Sequence, residues 1–174
     1  LIFCYLKKSH NTELVCGPSD PIVDELLFEQ RDWTTSEFEL RTKEELPRHI
    51  HKAKGLGFIT HAFVDANHAG DTITRQSWTG FIVYLNSAPV YWMSKKQTSV
   101  EMSSFGLEFI AMNQCTEYIR GLCYKLWMMG IPVMGPAYIF GDNQSVLANM
   151  TVPESTLKTK SQSLAYHFVH KGCA

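Results

Sequence analysis

Three carboxylates stand where the surrounding sequence predicts buried structure. Asp65 ends an apolar run over residues 57–64, Asp142 follows the apolar run 137–140, and Glu108 interrupts the apolar face of a long helical pattern. If the two runs are parallel neighbouring strands, both aspartates emerge at one edge of a sheet, where a covering helix would add Glu108. Three converging carboxylates repel one another unless divalent cations neutralise them, and hard oxygen ligands suit Mg²⁺ or Mn²⁺. Such a site can activate water for phosphodiester hydrolysis and stabilise the leaving oxygen.

Each of these residues also has a purely structural interpretation. Asp142 begins a polar stretch with Asn143 and Ser145 before a short helical pattern, and Asp, Asn and Ser are the usual helix N-cap residues. Asp65 opens a polar loop, where an aspartate often accepts a turn hydrogen bond. Glu108 could reach water from the rim of its helix, which avoids the cost of burying a charge. The spacing of the three residues leaves these interpretations open beside the metal site.

The first elements that must position these residues are strands. Three segments rich in β-formers predict an antiparallel meander, over residues 57–65, 79–85 and 90–93. Turn residues at 86–89 join the second and third strands. A long helix is then predicted over about residues 100–129, opened by a capping box at 98–101. Its core face carries Phe105, Phe109, Met112, Cys115, Ile119, Leu122 and Leu126.

The remaining elements follow the long helix. A strand precedes Asp142, a short helix is predicted over about residues 144–150, and a last helix over 161–171. In the last helix Leu164, Ala165 and Phe168 are expected to face inward. The predicted fold class is therefore α/β, with three antiparallel strands followed by helix, strand and helix in one mixed sheet.

Composition limits the class of protein without naming a function. The chain has 174 residues, 45% of them hydrophobic, and a net charge of −1, so it can bury a core and shows no global attraction to nucleic acid. A local basic strip would still be enough to meet phosphates. The five cysteines form no C-x-x-C pair, which predicts free thiols in a reducing compartment rather than a zinc site. The sequence contains no apolar, uncharged stretch long enough to predict a membrane span. Its first residues look like those of a chain cut from a longer one.

Five motif stretches follow one another in a fixed order: FVDANHAGD, RQSWTGF, YWMSKKQ, SSFGLEF and YIFGDNQSV. Together they resemble the ribonuclease H region of copia-type LTR retrotransposon polyproteins. That family's pattern reads approximately D-A-D-W-A-G-D, R-x-S-T-S-G-Y, S-W-x-S-K-K-Q, S-S-x-E-A-E-Y and Y-x-D-N-Q-S-A. The stretch LKTKSQSLAYHFVHK is similar to the family's R-T-K-H-I-D-I-R-Y-H-F-I-R-E, and CYLKKSHNTELVCGPS resembles the segment joining reverse transcriptase to ribonuclease H. The match covers residues 57–171 and, more loosely, 4–19.

The resemblance implies a ribonuclease H-like fold and cleavage of the RNA strand of RNA–DNA hybrids with two Mg²⁺ ions, for which Mn²⁺ can substitute. Asp65, Glu108 and Asp142 match the family's catalytic, metal-binding carboxylates. Nucleic-acid contacts are expected from Ser104, Asn143, Gln144, Lys95 and Lys96. For the two lysines a solvated loop is an equal alternative. His167 is a candidate for proton transfer, although a packed or exposed helix histidine is the simpler interpretation.

The resemblance also predicts how the chain is organised. Residues 1–19 would end a reverse transcriptase connection, 20–56 would be an insertion or linker, and 57–174 a ribonuclease H-like domain. The expected partners are an RNA–DNA hybrid and the reverse transcriptase domain of the same polyprotein, with no membrane. The expected location is intracellular and cytoplasmic, in a virus-like particle.

Several departures from the family pattern weaken the expectation of activity. Asn67 and His68 replace Asp-Trp, and Gly106 lies where the family has a glutamate in its helix. Ser161 and Ser163 stand where the family has His and Asp. The chain also ends before the family's A-D-x-x-T-K segment, so we expect a domain incomplete at its C terminus that lacks a fourth carboxylate. The alternative to a nuclease is an inactive remnant that binds nucleic acid or is only structural. A DNA strand transferase on the same fold is a weaker possibility, because the SKKQ and DNQS motifs argue against it.

Overall fold

The structure, a computed structural model, describes residues 16–17, 19–23, 28, 31–33, 49, 52–68, 73–98, 103–153, 155 and 163–173. Predictions that fall on residues 1–15, on most of 20–51 and on Ser161 lie outside this part. The described residues form four strands and three helices. In chain order these are β1 (Thr60–Asn67), β2 (Trp78–Leu85), β3 (Ala88–Lys96), α1 (Ser104–Met128), β4 (Tyr138–Phe140), α2 (Gln144–Thr151) and α3 (Ser163–Cys173).

The strands form one mixed sheet in the order β3-β2-β1-β4. β1 pairs antiparallel with β2, β2 pairs antiparallel with β3, and β4 pairs parallel with β1. This confirms the predicted fold class, including the parallel pairing of the first and fourth strands that the metal-site hypothesis required. The topology is that of an α/β fold with one mixed sheet.

Strand alternation places the core on one face of the sheet. In β1 Ala62 and Val64 are buried, whereas Phe63 and Asp65 are exposed. The buried positions pack against α1 through Phe109, Met112 and other apolar side chains of its predicted face. Because side chains alternate along a strand, this register puts Asp65 on the accessible side of the strand end.

The hairpin between β2 and β3 is tighter than the sequence predicted. Asn86 has a left-handed φ of 52°, which asparagine tolerates better than most residues. Its side-chain Oδ1 accepts a hydrogen bond from Ile59 N at 2.8 Å. Pro89 therefore belongs to β3 rather than to the turn, and β3 extends to Lys96. Lys95 and Lys96 lie on a strand, so the solvated-loop interpretation of these two lysines is wrong.

Helix α1 begins later than predicted. Ser103 is its N-cap, and the Ser103 Oγ accepts a hydrogen bond from Gly106 N at 3.1 Å. Residues 99–101 of the predicted capping box lie outside the described residues, and the N-cap that the structure shows is Ser103. β3 continues through Lys96, and Gln97 N still donates to Ser77 O at 2.8 Å, so the backbone is committed to sheet pairing immediately before Thr98.

Helix α3 packs against both α1 and α2. Tyr166, Val169 and His170 are its buried side chains. Ala165 and Phe168 pack against the core as predicted, but Leu164 is 86% exposed, so its inward prediction is wrong. A helix that contacts two other helices buries a wider face than its apolar residues alone predict. That buried face is also rotated relative to the predicted one.

Two predictions from composition can be compared with the described residues. Cys16, Cys115, Cys123 and Cys173 are free thiols, as expected. None of the helices in the described ranges combines the length and the apolarity that crossing a membrane requires.

Candidate metal centre

The pairing of β1 with β4 brings the two aspartates together. Phe63 lies opposite Phe140 in this parallel pair, and Asp65 and Asp142 each follow two residues further on. The carboxyl ends of parallel neighbours meet at one edge of a sheet, which is where α/β proteins bind ligands. Both aspartates are exposed at this edge.

Helix α1 adds the third carboxylate. Glu108 lies in the second turn of α1 and is partly buried. The end of β4 can approach the helix closely because residue 141 is glycine: a Cβ there would lie 2.8 Å from Met112 Cε and 3.6 Å from Val64 Cγ1. Gly141 thereby allows Asp142, the next residue, to reach Glu108.

The three carboxylates form one group. One oxygen from each of Asp65, Glu108 and Asp142 lies within 4.8 Å of the other two. Asp65 Oδ1 accepts a hydrogen bond from Ala66 N at 2.8 Å. Among the described residues no lysine or arginine forms an ion pair with any of the three. The group therefore concentrates negative charge without a protein cation to balance it.

This concentration of charge perturbs the central carboxyl. Burial first, and then the charges of Asp142 and Asp65, together raise the pKa of Glu108 from 4.5 to about 7. The backbone N–H of Ala66 acts in the opposite sense on this pKa. A strongly perturbed carboxyl beside two others is typical of functional sites and of sites that hold a cation. The donor set, three carboxylates with hard oxygens, fits Mg²⁺ or Mn²⁺.

The structure separates helix capping from the candidate metal site. Asn143 is the N-cap of α2, and its Oδ1 accepts hydrogen bonds from Ser145 N at 3.1 Å and Val146 N at 3.2 Å. The capping interpretation of this stretch is therefore confirmed at Asn143, and the carboxylate of Asp142 is left for the acidic group. Because Oδ1 of Asn143 is engaged, only the amide nitrogen of that side chain remains for a nucleic acid.

The other residues predicted to contact nucleic acid lie on three different elements. Gln144 is exposed in the first turn of α2, directly after the N-cap. Ser104 is exposed one turn before Glu108. Lys95 and Lys96 lie two strands away from β1 on the edge strand β3, where Ser94, one residue earlier, is in the row of Asp65. The structure thus brings Ser104 and Gln144 near the elements of the acidic group but places the lysines at a separate position.

His167 is not part of the acidic group. It is exposed on α3, and no histidine joins the three carboxylates among the described residues. The simpler interpretation, an exposed helix histidine, agrees with this placement.

Gln97 positions the start of α1, a role that the sequence reasoning missed. Its side chain is 3% exposed, and its Nε2 donates to Thr79 Oγ1 and to Leu107 O, both at 3.0 Å. Leu107 directly precedes Glu108, so Gln97 ties the end of β3 to the turn of α1 that carries the carboxylate. The only signal in the sequence was its place at the end of the SKKQ motif.

A second polar cluster holds α3 against the end of α2. His170 Nε2 lies 2.7 Å from Asn149 O and 3.2 Å from Ser155 Oγ. Tyr166 OH donates to Ser155 O and lies 3.0 Å from the hydroxyl of the same serine. Burial lowers the pKa of His170. The cluster is a structural clamp, and it lies outside the acidic group.

This chain is similar to segments of much longer proteins. The chain is 33% identical over 138 residues to the "Retrovirus-related Pol polyprotein from transposon RE2" of Arabidopsis thaliana, covering 79% of this chain and 10% of that protein. It is also 33% identical over 131 residues to the corresponding polyprotein from transposon RE1 of the same plant, covering 75% of this chain and 9% of that protein. The chain thus spans about a tenth of the length of these curated relatives. No family model matches it.

Among solved structures, the chain is similar to LC11-RNase H1, isolated from compost by a metagenomic approach. The TM-score is 0.42 at 13% sequence identity, and the superposition covers 62% of this chain and 70% of that one.

Proposed function

This chain is homologous to a segment of the retrovirus-related Pol polyproteins of copia-type transposons, and from that premise we propose that it is a ribonuclease H-type nuclease segment of such a polyprotein. The proposed reaction is metal-dependent hydrolysis of the RNA strand of an RNA–DNA hybrid. The observation that carries the proposal is the convergence of Asp65, Glu108 and Asp142 within 4.8 Å at the end of two parallel strands.

In this proposal the three carboxylates hold two Mg²⁺ ions, or Mn²⁺ in their place. Bound there, the ions supply the positive charge that activates a water toward the RNA phosphodiester and stabilises the departing oxygen. Glu108 binds in its charged form, which its pKa of about 7 makes the major form only in neutral or alkaline solution. The Ala66 N–H fixes the orientation of Asp65 through Oδ1. Asp142 contributes its carboxylate because Asn143 takes over the cap of α2.

The residues flanking the carboxylates would orient the hybrid. The amide nitrogen of Asn143 can donate to phosphate or 2′-OH oxygens, and Gln144 can donate to them or accept from 2′-OH groups, which distinguish RNA from DNA. Ser104 can do the same from the start of α1. Lys95 and Lys96 would contact phosphates further from the scissile bond. We assign no proton-transfer step to His167.

The parent polyprotein would supply the remaining parts. We propose that a reverse transcriptase domain of the same polyprotein delivers the hybrid to this segment, in the cytoplasm and within a virus-like particle. Residues 1–19 would then belong to the connection from that domain, and 20–56 to a linker.

The test is cleavage of a hybrid whose RNA strand is end-labelled, in Mg²⁺ and separately in Mn²⁺. We expect RNA-strand cutting by the full chain, loss of cutting in Glu108→Gln and Asp142→Asn, and no change in the surface control Asp20→Asn. Each variant is also checked for hybrid binding in EDTA by fluorescence anisotropy. Circular dichroism establishes that each variant is folded.

The two assays separate the nuclease from its alternative. Cutting that disappears in Glu108→Gln while hybrid binding persists supports the nuclease. Hybrid binding by the folded chain without cutting in either metal supports an inactive nucleic-acid-binding remnant, which the departures at Asn67 and His68 favour. Cutting that survives both carboxylate variants would assign the activity elsewhere and overturn the proposed site.

A further inference from the structure

A cavity of about 280 Å³ lies between the edge strand β3 and helix α1, on the helix-covered face of the sheet. It is open to solvent and lined by Phe81, Tyr91, Met93, Lys95, Gln114, Glu117 and Tyr118. None of these residues belongs to the acidic group. Its size is near the lower end of the range for small-molecule sites.

The wall of the cavity is aromatic. Tyr91 and Tyr118 stack with ring centroids 3.9 Å apart and an interplanar angle of 17°. The ring of Phe81 packs against both tyrosine rings, with centroid distances of 5.8 Å to Tyr91 and 5.9 Å to Tyr118. Both tyrosines remain partly exposed, whereas Phe81 is buried. The tyrosine pair is therefore a rigid, preformed surface on which a flat ligand can rest.

The rim of the cavity carries groups of opposite charge that do not neutralise each other. Lys95 and Glu117 are both exposed, both line the cavity, and neither forms an ion pair with any described residue. Gln114, one turn of α1 before Glu117 and Tyr118, adds an amide donor and acceptor. A ligand that satisfies this rim needs an anionic group for Lys95 and N–H donors for Glu117.

We propose that this cavity binds one unpaired nucleotide of a single-stranded nucleic acid. The base would lie against the tyrosine pair, because aromatic side chains bind bases by stacking. The phosphate would meet Lys95, and the carboxylate of Glu117 would accept from an exocyclic amino group, as carboxylates do with cytosine N4. A base without an amino group, thymine or uracil, leaves Glu117 without a partner. The site therefore prefers cytosine to thymine.

The position of the cavity relates it to the acidic group. Glu117 is nine residues beyond Glu108 on α1, which is about 13 Å along a helix. Lys95 directly follows Ser94 on β3. The strand register aligns Ser94 with Asp65, two strands away and about 10 Å across the sheet. These separations correspond to about three or four nucleotides of a duplex strand. The nucleotide would come from a strand that continues beyond the hybrid; this source rests on the proposed nuclease function, whereas the cavity itself does not.

The experiment measures binding of fluorescein-labelled 12-residue oligo(dC) and oligo(dT) to the full chain by anisotropy, in EDTA. We expect oligo(dC) to bind about fivefold more tightly than oligo(dT), the low end of what one well-placed base contact gives. Glu117→Gln should abolish this ratio, since a glutamine can donate to thymine O4 as well as accept from cytosine. Tyr91→Leu should weaken both oligonucleotides about fivefold through lost stacking.

Phosphate contact is tested separately. Lys95→Ala should lower the salt dependence of binding by about one ion, whereas Lys125→Ala, an exposed lysine in the last turn of α1, should leave it unchanged. Equal binding of the two oligonucleotides, or an unchanged ratio in Glu117→Gln, would overturn the proposal. The binding assay contains EDTA, so its result does not depend on the metal-requiring nuclease. A chain that shows the predicted ratio of oligo(dC) to oligo(dT) binding but does not cut the hybrid would support this cavity site and refute only the proposed nuclease.

Discussion

Neutralising Glu108 should stabilise the protein when no divalent cation is present. The Glu108→Gln substitution keeps the shape of the side chain but removes a charge that burial, Asp142 and Asp65 all disfavour. The native carboxyl has a pKa of about 7 against an ordinary value of 4.5. Between these two values the native state binds more protons than the unfolded state, so stability falls as pH rises. This loss is complete somewhat above pH 7 and absent below pH 4.5.

The size of the effect follows from the same rise in pKa. At about 1.36 kcal/mol per pH unit, a rise from 4.5 to about 7 corresponds to about 3.4 kcal/mol at most. Glu108 is partly exposed, so solvent screening reduces the cost to about 1–2 kcal/mol. For a chain of this length that is a rise in Tm of about 2–8 °C. We therefore expect Glu108→Gln to exceed the wild type in stability by this amount at pH 8 and to match it at pH 4.

The assay is urea unfolding at pH 4 to 8 in EDTA, followed by tryptophan fluorescence. Burial lowers the pKa of His61 and of His170, so these residues add stability at high pH that is lost as pH falls. Their effect opposes that of Glu108 in the raw curves and cancels in the difference between variant and wild type. Glu117→Gln, an exposed position on the same helix, is the matched control.

Addition of Mg²⁺ should reverse the order at pH 8. The cation stabilises the wild type by mass action and the variant much less, since the variant has lost one of three ligands. If Glu108→Gln were as stable as the wild type or less stable at pH 8 in EDTA, the three carboxylates would not repel one another as their geometry requires. The case for a cation site would then lose its physical basis.

Four further outcomes follow. Mg²⁺ should bind about tenfold more weakly at pH 6 than at pH 8, because protons compete for a carboxyl with a pKa of about 7; a pH-independent Kd by calorimetry contradicts this. Gln97→Met should cost about 1–3 kcal/mol in urea unfolding, since a buried carbonyl of α1 loses its donor; no loss would show the bond to be dispensable. Asn143→Ala should lower the free energy of unfolding by about 1 kcal/mol without abolishing Mg²⁺ binding. Asp142→Asn should abolish Mg²⁺ binding without lowering the free energy of unfolding. Tyr166→Phe should cost about 1–2 kcal/mol and speed amide exchange in α3; unchanged exchange would show that the hydroxyl does not anchor the helix.

The sequence predicted the parts of the fold that depend on local pattern. Alternation and β-formers located the strands, and the apolar face of α1 was correct from Phe105 to Leu126. The start of α1 was predicted too early, since its N-cap is Ser103. Leu164 failed because a helix contacting two neighbours does not bury a stripe that apolar residues alone define.

The sequence likewise predicted only part of the candidate site. Asp65, Glu108 and Asp142 were found because motif order and strand position pointed to one sheet edge. Gln97 was missed because its role depends on partners 18 and 10 residues away along the chain, which no local pattern reveals. The competing interpretations of Asp142 could be resolved only by seeing which of two adjacent side chains accepts the backbone N–H groups of α2.

The neighbouring residues Asp142 and Asn143 divide two tasks that a single aspartate could have combined. Asn143 starts the helix, and Asp142 joins the acidic group. Under the proposed function, a copy that loses Asp142 would keep the cap of α2, and the relieved repulsion on Glu108 would raise its stability. The loss of cutting would then be invisible to the selection that keeps a chain folded. Selection for cutting and selection for folding would act on different members of the same dipeptide, so such copies would lose their chemistry before they lose their shape.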